Sequence, residues 1–376
     1  MKNKITTALV GSLFGLGLSS ASVAQTTISG NLDLSYFTVS SSSGTANSYR
    51  AVGRETQLNL ANKGKLSNGM DYAAGFSWEV EGGESLGTAT ANNTNSDSAN
   101  ASNENVYIDF FYNKDSYVSI SNDHVPNTDV TFTNLVGFGY LGGHGIGNQT
   151  ALYPASLNTS GYGIGVSHNF GPMRLSGTFV PNPIKDGAPT NDTGHTLTSS
   201  ADSENNTKVE VTVRGDLGVK GLDVMLGVAR QNKVASGTTI DATAKDPHGK
   251  RASIKYNFGN VTVAGDYIVV DGQNITTGAT DAANGAATTT ANHELTGKSV
   301  GVAYAISPAL SIGYTRSTAD TNQAGFADEK VNHYAIGYNL GAVSVAAMFR
   351  DAKGAGGSNG AGGEGEVGSI RLSTRF

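Results

Sequence analysis

The side chains able to do chemistry are sparse and sit on alternate residues. Asp33, Glu55, Asp71, Glu79, Glu81 and Asp109 come early in the chain. Arg174, Lys208, Arg214, Arg251 and Lys255 come from its middle, with Glu210, Asp223 and Asp266 among them, and Arg350, Arg371 and Arg375 close it. Fixed charges segregated in this way act on ions through their field, most strongly where low-dielectric walls focus it. Bond-making chemistry lacks its usual groups. The chain has no cysteine, which removes disulfides, thiolate metal sites and a cysteine nucleophile together. Its seven histidines form no HExxH and no ligand spacing. The many Gly-x-Gly pairs lack the strand-to-helix setting of a phosphate loop, and Asp, His and Ser occur together by abundance alone. No catalytic residue, metal or cofactor is expected.

Holding such charges on one face requires strands. Met70, Tyr72, Ala74, Phe76, Trp78 and Val80 alternate with Asp71, Ala73, Gly75, Ser77, Glu79 and Glu81. The same period of two runs through 28–37, 208–214, 251–258, 343–350 and 370–376. Sixteen segments read this way: 27–39, 52–62, 70–83, 104–112, 116–122, 159–170, 173–181, 205–214, 222–233, 248–258, 261–272, 295–306, 310–319, 329–340, 342–353 and 364–376. Composition agrees. With 50 Gly, 38% apolar and 15% charged residues, the chain is rich in strand and turn formers and poor in what a helix bundle needs.

The first residues are an address. Lys2 and Lys4 precede the apolar run 8–18, and Ser22-Val23-Ala24 offers small residues before a cut. This is the pattern of a secretory signal peptide over 1–24, leaving 25–376 as one domain. The leader carries two Lys and no acid, so 25 − 2 = 23 basic residues face 31 acidic ones in the remainder. That acidic balance argues against nucleic acid as a partner.

Between the sixteen segments, short gaps such as Gly171-Pro172 and Gly259-Asn260 alternate with long polar ones such as 84–102, 123–158 and 182–204. One end of the sheet is therefore trimmed and the other decorated, as in a transmembrane barrel. The charge pattern fits. The charges of the clear strands fall on the polar parity, where a one-residue slip would turn them into lipid. Arg230 and Arg316 break the rule, both near the decorated end. Tyr112, Phe170, Phe258 and Phe376 mark the trimmed end, and Tyr36, Trp78, Phe179, Tyr314, Tyr334 and Phe349 the other, giving two aromatic girdles. The expected fold is all-β: a 16-stranded antiparallel transmembrane β-barrel with short periplasmic turns and long extracellular loops.

These features together resemble the Gram-negative general (diffusion) porins. The residues that carry the resemblance are the signal peptide, the opening Thr27-Ile28-Ser29-Gly30 and the closing Arg371-Leu372-Ser373-Thr374-Arg375-Phe376. It implies an outer-membrane channel for passive diffusion of ions and small hydrophilic solutes, usually a homotrimer, embedded among lipid and lipopolysaccharide. A last strand ending in Phe376 resembles the signal read by the barrel-assembly machinery. The family also folds its third loop into the lumen, and here 123–158 is third and longest. Family constriction loops carry an acidic Pro-Glu-Phe-Gly-Gly-like segment. This loop departs from it, with Asp123 and Asp129 but no Glu, and an apolar, glycine-rich middle.

Pore-lining candidates are therefore Arg174, Arg214, Arg251, Lys255 and Arg350, as a basic wall facing the loop, with Asp33, Asp71, Asp109, Asp123 and Asp129 as acids. The alternative is scattered solvated charges in local salt bridges. Gly161, Gly163 and Gly165 share the inward parity next to the loop, either to receive it or to bend the barrel. Loop acids such as Asp202, Glu204, Asp320, Asp328 and Glu329 read as solvated charges, with divalent ions bridging lipopolysaccharide as the alternative. Two rivals stay open at this level: an adhesin or surface structure built on the polar loops, and a barrel hydrolase.

Overall fold

The computed structural model describes residues 25–41, 49–83, 100–122, 132–133, 135–136, 162–180, 207–231, 248–276, 289–322, 328–354 and 365–376. Sixteen strands appear in chain order. The first eight are β1 (Gln25–Ser41), β2 (Tyr49–Lys65), β3 (Asp71–Gly83), β4 (Asn100–Asn113), β5 (Ser116–Asn122), β6 (Tyr162–Phe170), β7 (Met173–Val180) and β8 (Lys208–Gly215). The others are β9 (Leu222–Gln231), β10 (His248–Phe258), β11 (Val261–Thr276), β12 (Thr289–Ala305), β13 (Leu310–Thr321), β14 (Glu329–Asn339), β15 (Val343–Lys353) and β16 (Gly365–Arg375). Each pairs antiparallel with its neighbours in sequence, and β1 pairs with β16 to close the barrel. Closure leaves no unpaired strand edge.

Alternation decides which way each side chain faces. On β9, Leu226 and Val228 are exposed while Met225 and Ala229 are buried. On β1, Leu32, Leu34 and Tyr36 are exposed while Asp33 and Ser35 are buried. The barrel is thus apolar outside and polar within, the inverse of a water-soluble core, and this arrangement suits a wall set in lipid. Both aromatic girdles lie on the outside, with Tyr112 and Phe376 at one end and Trp78, Tyr334 and Phe349 toward the other.

Tight turns close the trimmed end. Gly171 and Gly259 adopt φ of 61° and 63° in two-residue turns, with nothing near their missing side chains, so conformational freedom is what glycine provides there. Several strands run past the expected bounds, among them β2, β4, β11 and, furthest, β12. β12 starts at Thr289 rather than 295, because its Thr/Ala/Asn start carries no apolar alternation although it still pairs with β11 through register shifts. β4 starts at Asn100, and a bulge with Asn105 at φ 51° switches the parity between Glu104 and Tyr107. That switch is why alternation alone misplaces its start.

Candidate functional site

A row of short polar side chains crosses the inner wall on four adjacent strands. Ser253, Asp266, Ser299 and Ser317 stand directly opposite one another from β10 to β13. All four are buried. Into this row comes the root of the third loop. One Asp266 oxygen accepts the backbone N–H groups of Phe132 and Thr133 at 3.0 and 3.1 Å. The other accepts from Arg251 at 3.0 Å and from the Ser253 hydroxyl. The Thr133 hydroxyl lies 2.7 Å from that of Ser299, and the Thr315 hydroxyl donates to the Thr133 carbonyl at 2.9 Å. Asp266 is thus a bracket between the loop backbone and a buried arginine.

Packing reinforces it. Phe132, 2% exposed, joins Met225 and Ala264. Its ring lies 4.9 Å from the Arg214 guanidinium carbon and 5.3 Å from the Lys255 ammonium, within cation–π range. Val136 enters a socket made by Gly313 and Gly337 and packs with Ala303, Ala335, Ala346 and Met348. A methyl group at Gly313 would stand 2.4 Å from a Val136 methyl, so only glycine leaves the socket open. The described loop residues therefore lie on the wall from β9 to β15, away from the glycines of β6. At β6, Gly163 makes room for Phe179 and Val180 of the next strand; Gly161 and most of the loop lie outside the described residues.

The expected basic residues occupy four settings. Arg214 makes a bidentate pair with Asp223 at 3.1 and 2.7 Å, and Lys255 shares that acid at 3.5 Å. Arg251 is committed to Asp266. Arg174, opposite Arg214 in register, is exposed, donates to Asn169 at 3.1 Å and lies 5.8 Å from the Tyr117 ring. Arg350 stands apart on β15, buried and opposite His333.

The acids are equally dispersed. Asp33 is buried on β1 and paired with Arg371 across the closing seam. Asp71 sits at the trimmed rim, 2.5 Å from Lys65, with both side chains exposed. Asp109 is buried on β4 opposite Ser119. Asp123 and Asp129 lie outside the described residues. Glu329, counted among the loop acids although it opens the segment 329–340, begins β14 and is fully buried on its inner face, and Asp320, also counted there, lies within β13. Near the trimmed end, Asn31, Asp33, Glu55, Gln57, Asn59, Arg371 and Arg375 line a polar cavity of about 820 Å³.

The docking residues Phe132, Thr133 and Val136 and their glycine socket were missed from the sequence. A signal existed: Gly301, Gly313 and Gly337 share the inward parity of three neighbouring strands, but β6 is nearer the loop in the chain.

The wall can shape an aqueous passage, while its buried pairs fix a segment that enters it. The family described as Gram-negative porin matches residues 6–356. No curated protein matches the chain. Among solved structures, an anion-selective porin from Comamonas acidovorans aligns with TM-score 0.64 and 14% identity over 94% of this chain and 100% of that one. Salmonella typhi OmpF in complex with daunomycin aligns with 0.66 and 12%, over 93% and 97%. A mutant of the Rh. blastica porin aligns with 0.56 and 14%, over 94% and 100%. At these identities the likeness is one of fold.

Proposed function

The chain belongs to the Gram-negative porin family, and from that premise we propose how its barrel works. It is an outer-membrane porin, a channel for passive diffusion of ions and small hydrophilic solutes. The carrying observation is the closed 16-strand barrel whose apolar residues face out and whose polar residues face in. Solutes move down their gradients, and the protein selects by size and charge without making or breaking bonds.

Residues 1–24 are a signal peptide removed on export, and 25–376 form the barrel. The connections at 66–70, 114–115, 171–172, 216–221, 259–260, 306–309 and 340–342 face the periplasm, and the longer ones face outward. The root of loop 3, bracketed by Asp266, carries the loop into the lumen and narrows it. Arg174, Arg214, Arg251, Lys255 and Arg350 act with Asp33, Asp71 and Asp109 on passing ions. The barrel assembles as a homotrimer among lipid and lipopolysaccharide, and Phe376 is the assembly signal.

Purified protein in planar bilayers tests the channel. Stepwise conductance with a measurable reversal potential in a salt gradient is expected. A folded, heat-modifiable barrel that conducts nothing would overturn the reading.

A further inference from the structure

The outer surface carries cations that the lipid-facing parity should exclude. Lys298, Thr318, Lys330 and Lys353 stand directly opposite one another on the outward face of β12, β13, β14 and β15. Arg316 lies on the same face of β13, two residues nearer the barrel middle. The four cations are exposed. Lys330 and Lys353 are directly opposed like charges, an arrangement that destabilises a sheet unless something anionic lies between them.

Acids pair with two of these cations, and Glu366, opposite Asp351, adds a carboxylate to this face. Asp320 lies 3.7 Å from Lys298, and Asp328 lies 3.9 Å from Lys330. Asp351, on the same face, is opposite Asn332. Among the described residues, Arg316 and Lys353 have no ion-pair or hydrogen-bond partner, whereas Lys298 and Lys330 each have an acid. An unpaired cation on a lipid-facing wall is tolerated near the interface, at about 0–1 kcal/mol, and disfavoured deeper.

The side chains below the cations identify the occupant. Tyr314, Tyr334 and Phe349 form a lateral row with ring centroids 5.1 and 6.3 Å apart. Beneath them Ile312 and Ile336 are exposed and directly opposed. From near the trimmed end to the outer end the same strands therefore present aliphatic, then aromatic, then, past Asn332 and Asp351, cationic side chains. A phosphorylated lipid presents acyl chain, polar linker and phosphate in that order.

We propose that Arg316, Lys330 and Lys353, flanked by Lys298, form a binding site for the phosphate of an outer-leaflet lipid headgroup. The site rests on the membrane reading above and gives its lipid contact a place. The phosphate lies between Lys330 and Lys353 and reaches Arg316, while the acyl chains cover the aromatic row and the isoleucines. This relieves the Lys–Lys opposition and gives Arg316 a counter-charge.

Native mass spectrometry of the full-length purified protein with added lipid A tests it. The comparison is with Arg316→Gln/Lys330→Gln/Lys353→Gln. Each cation near an anionic lipid surface is worth roughly fivefold, so the triple variant should bind diphosphorylated lipid A about 100-fold more weakly. Dephosphorylated lipid A should bind both proteins alike. The charge-keeping variant Arg316→Lys/Lys330→Arg/Lys353→Arg should retain binding, which separates charge from folding. Equal lipid A binding by wild type and the Gln variant overturns the site. So does competition by inorganic phosphate at lipid-equivalent concentration, which marks a free-anion site. A changed oligomer mass with unchanged lipid binding also overturns it, as a subunit contact. Conductance of the same preparations is read separately. A conducting channel with unaltered lipid binding sinks this site alone, and a silent wild type sinks the channel reading alone.

Discussion

Replacing Asp266 with Ala should release the loop root while leaving the barrel intact. In the wild type, one Asp266 oxygen takes two backbone N–H groups. Hydrogen bonds to a charged group contribute about 1.5–3 kcal/mol each, so these two supply roughly 3–6 kcal/mol. The two hydrogen bonds of Thr133 add about 0.5–1.5 kcal/mol each. Burying Phe132 and Val136 adds about 1.5–3 kcal/mol each. Against this, ordering the backbone of residues 132–136 costs about 1–2 kcal/mol per residue, roughly 5–10 in all. The gross hold is then about 7–15 kcal/mol in the wild type and about 4–9 in the variant, so the net falls from a few kcal/mol to near zero. Docked and released roots become comparably populated. Arg251, 3% exposed, also loses its carboxylate, which favours release further.

Two assays read this. Single-channel recordings should show added current noise and a second conductance level in Asp266→Ala. The chain has no cysteine, so Thr133→Cys/Ser299→Cys can report docking through disulfide formation. The bond should form readily with Asp266 present and several-fold more slowly without it. Asp266→Asn keeps a carbonyl acceptor without the charge and should fall between. The barrel should remain heat-modifiable, because sixteen strand pairings hold it independently of the loop. Unchanged noise, conductance and crosslinking in Asp266→Ala would refute the bracket.

Further tests probe the wall, the surface and the seam. Arg214→Ala with Arg251→Ala uncovers Asp223 and Asp266, so the reversal potential in a salt gradient should move toward cations; no movement would remove both arginines from the field. Leu226→Arg places a cation mid-strand on the outer face, where Leu226 is 63% exposed. It should cost about 2–4 kcal/mol of folding in lipid vesicles, and a cost below about 1 would mean that this face does not meet lipid. A methyl group at Gly30 would lie 2.6 Å from the Phe376 ring, and the two residues exchange backbone hydrogen bonds at the closing seam. Gly30→Val and Phe376→Ala should both lower the heat-modifiable fraction on unheated gels, and wild-type yields from either would argue against a seam role.

The strands were legible because a barrel in lipid writes its parity into the sequence. Val209, Val211 and Val213 against Lys208, Glu210 and Arg214 leave one register that keeps the charges inside. Parity weakens where lipid stops constraining the chain. Lys330 and Lys353 occupy outward positions at the outer ends of their strands, level in register with Lys298 on the longer β12 and close to Arg316, and parity there no longer excludes charge. The start of β12 was missed for the same reason: above the apolar band, pairing continues without alternation.

The site was harder to read because its parts meet across large sequence distances. Asp266 contacts Phe132 and Thr133 from the opposite half of the chain, and no local pattern marks such a pair. Sequence order placed Arg214, Arg251 and Lys255 in a basic wall, and the strands do hold them on neighbouring inner positions. What order does not reveal is their partners. Two buried or half-buried carboxylates, Asp223 and Asp266, take up three of these cations. The field they present to a passing ion is therefore that of nearly balanced pairs, and much of their electrostatic effect goes into gripping the loop. Arg174 differs, since it is exposed and, among the described residues, held by an amide and a ring. Its Ala variant should shift the reversal potential toward cations without adding current noise, whereas the Arg251→Ala single variant should add noise as it loosens Asp266. If both single variants shift selectivity equally and neither adds noise, the division between a cation that acts on ions and one that holds the loop fails.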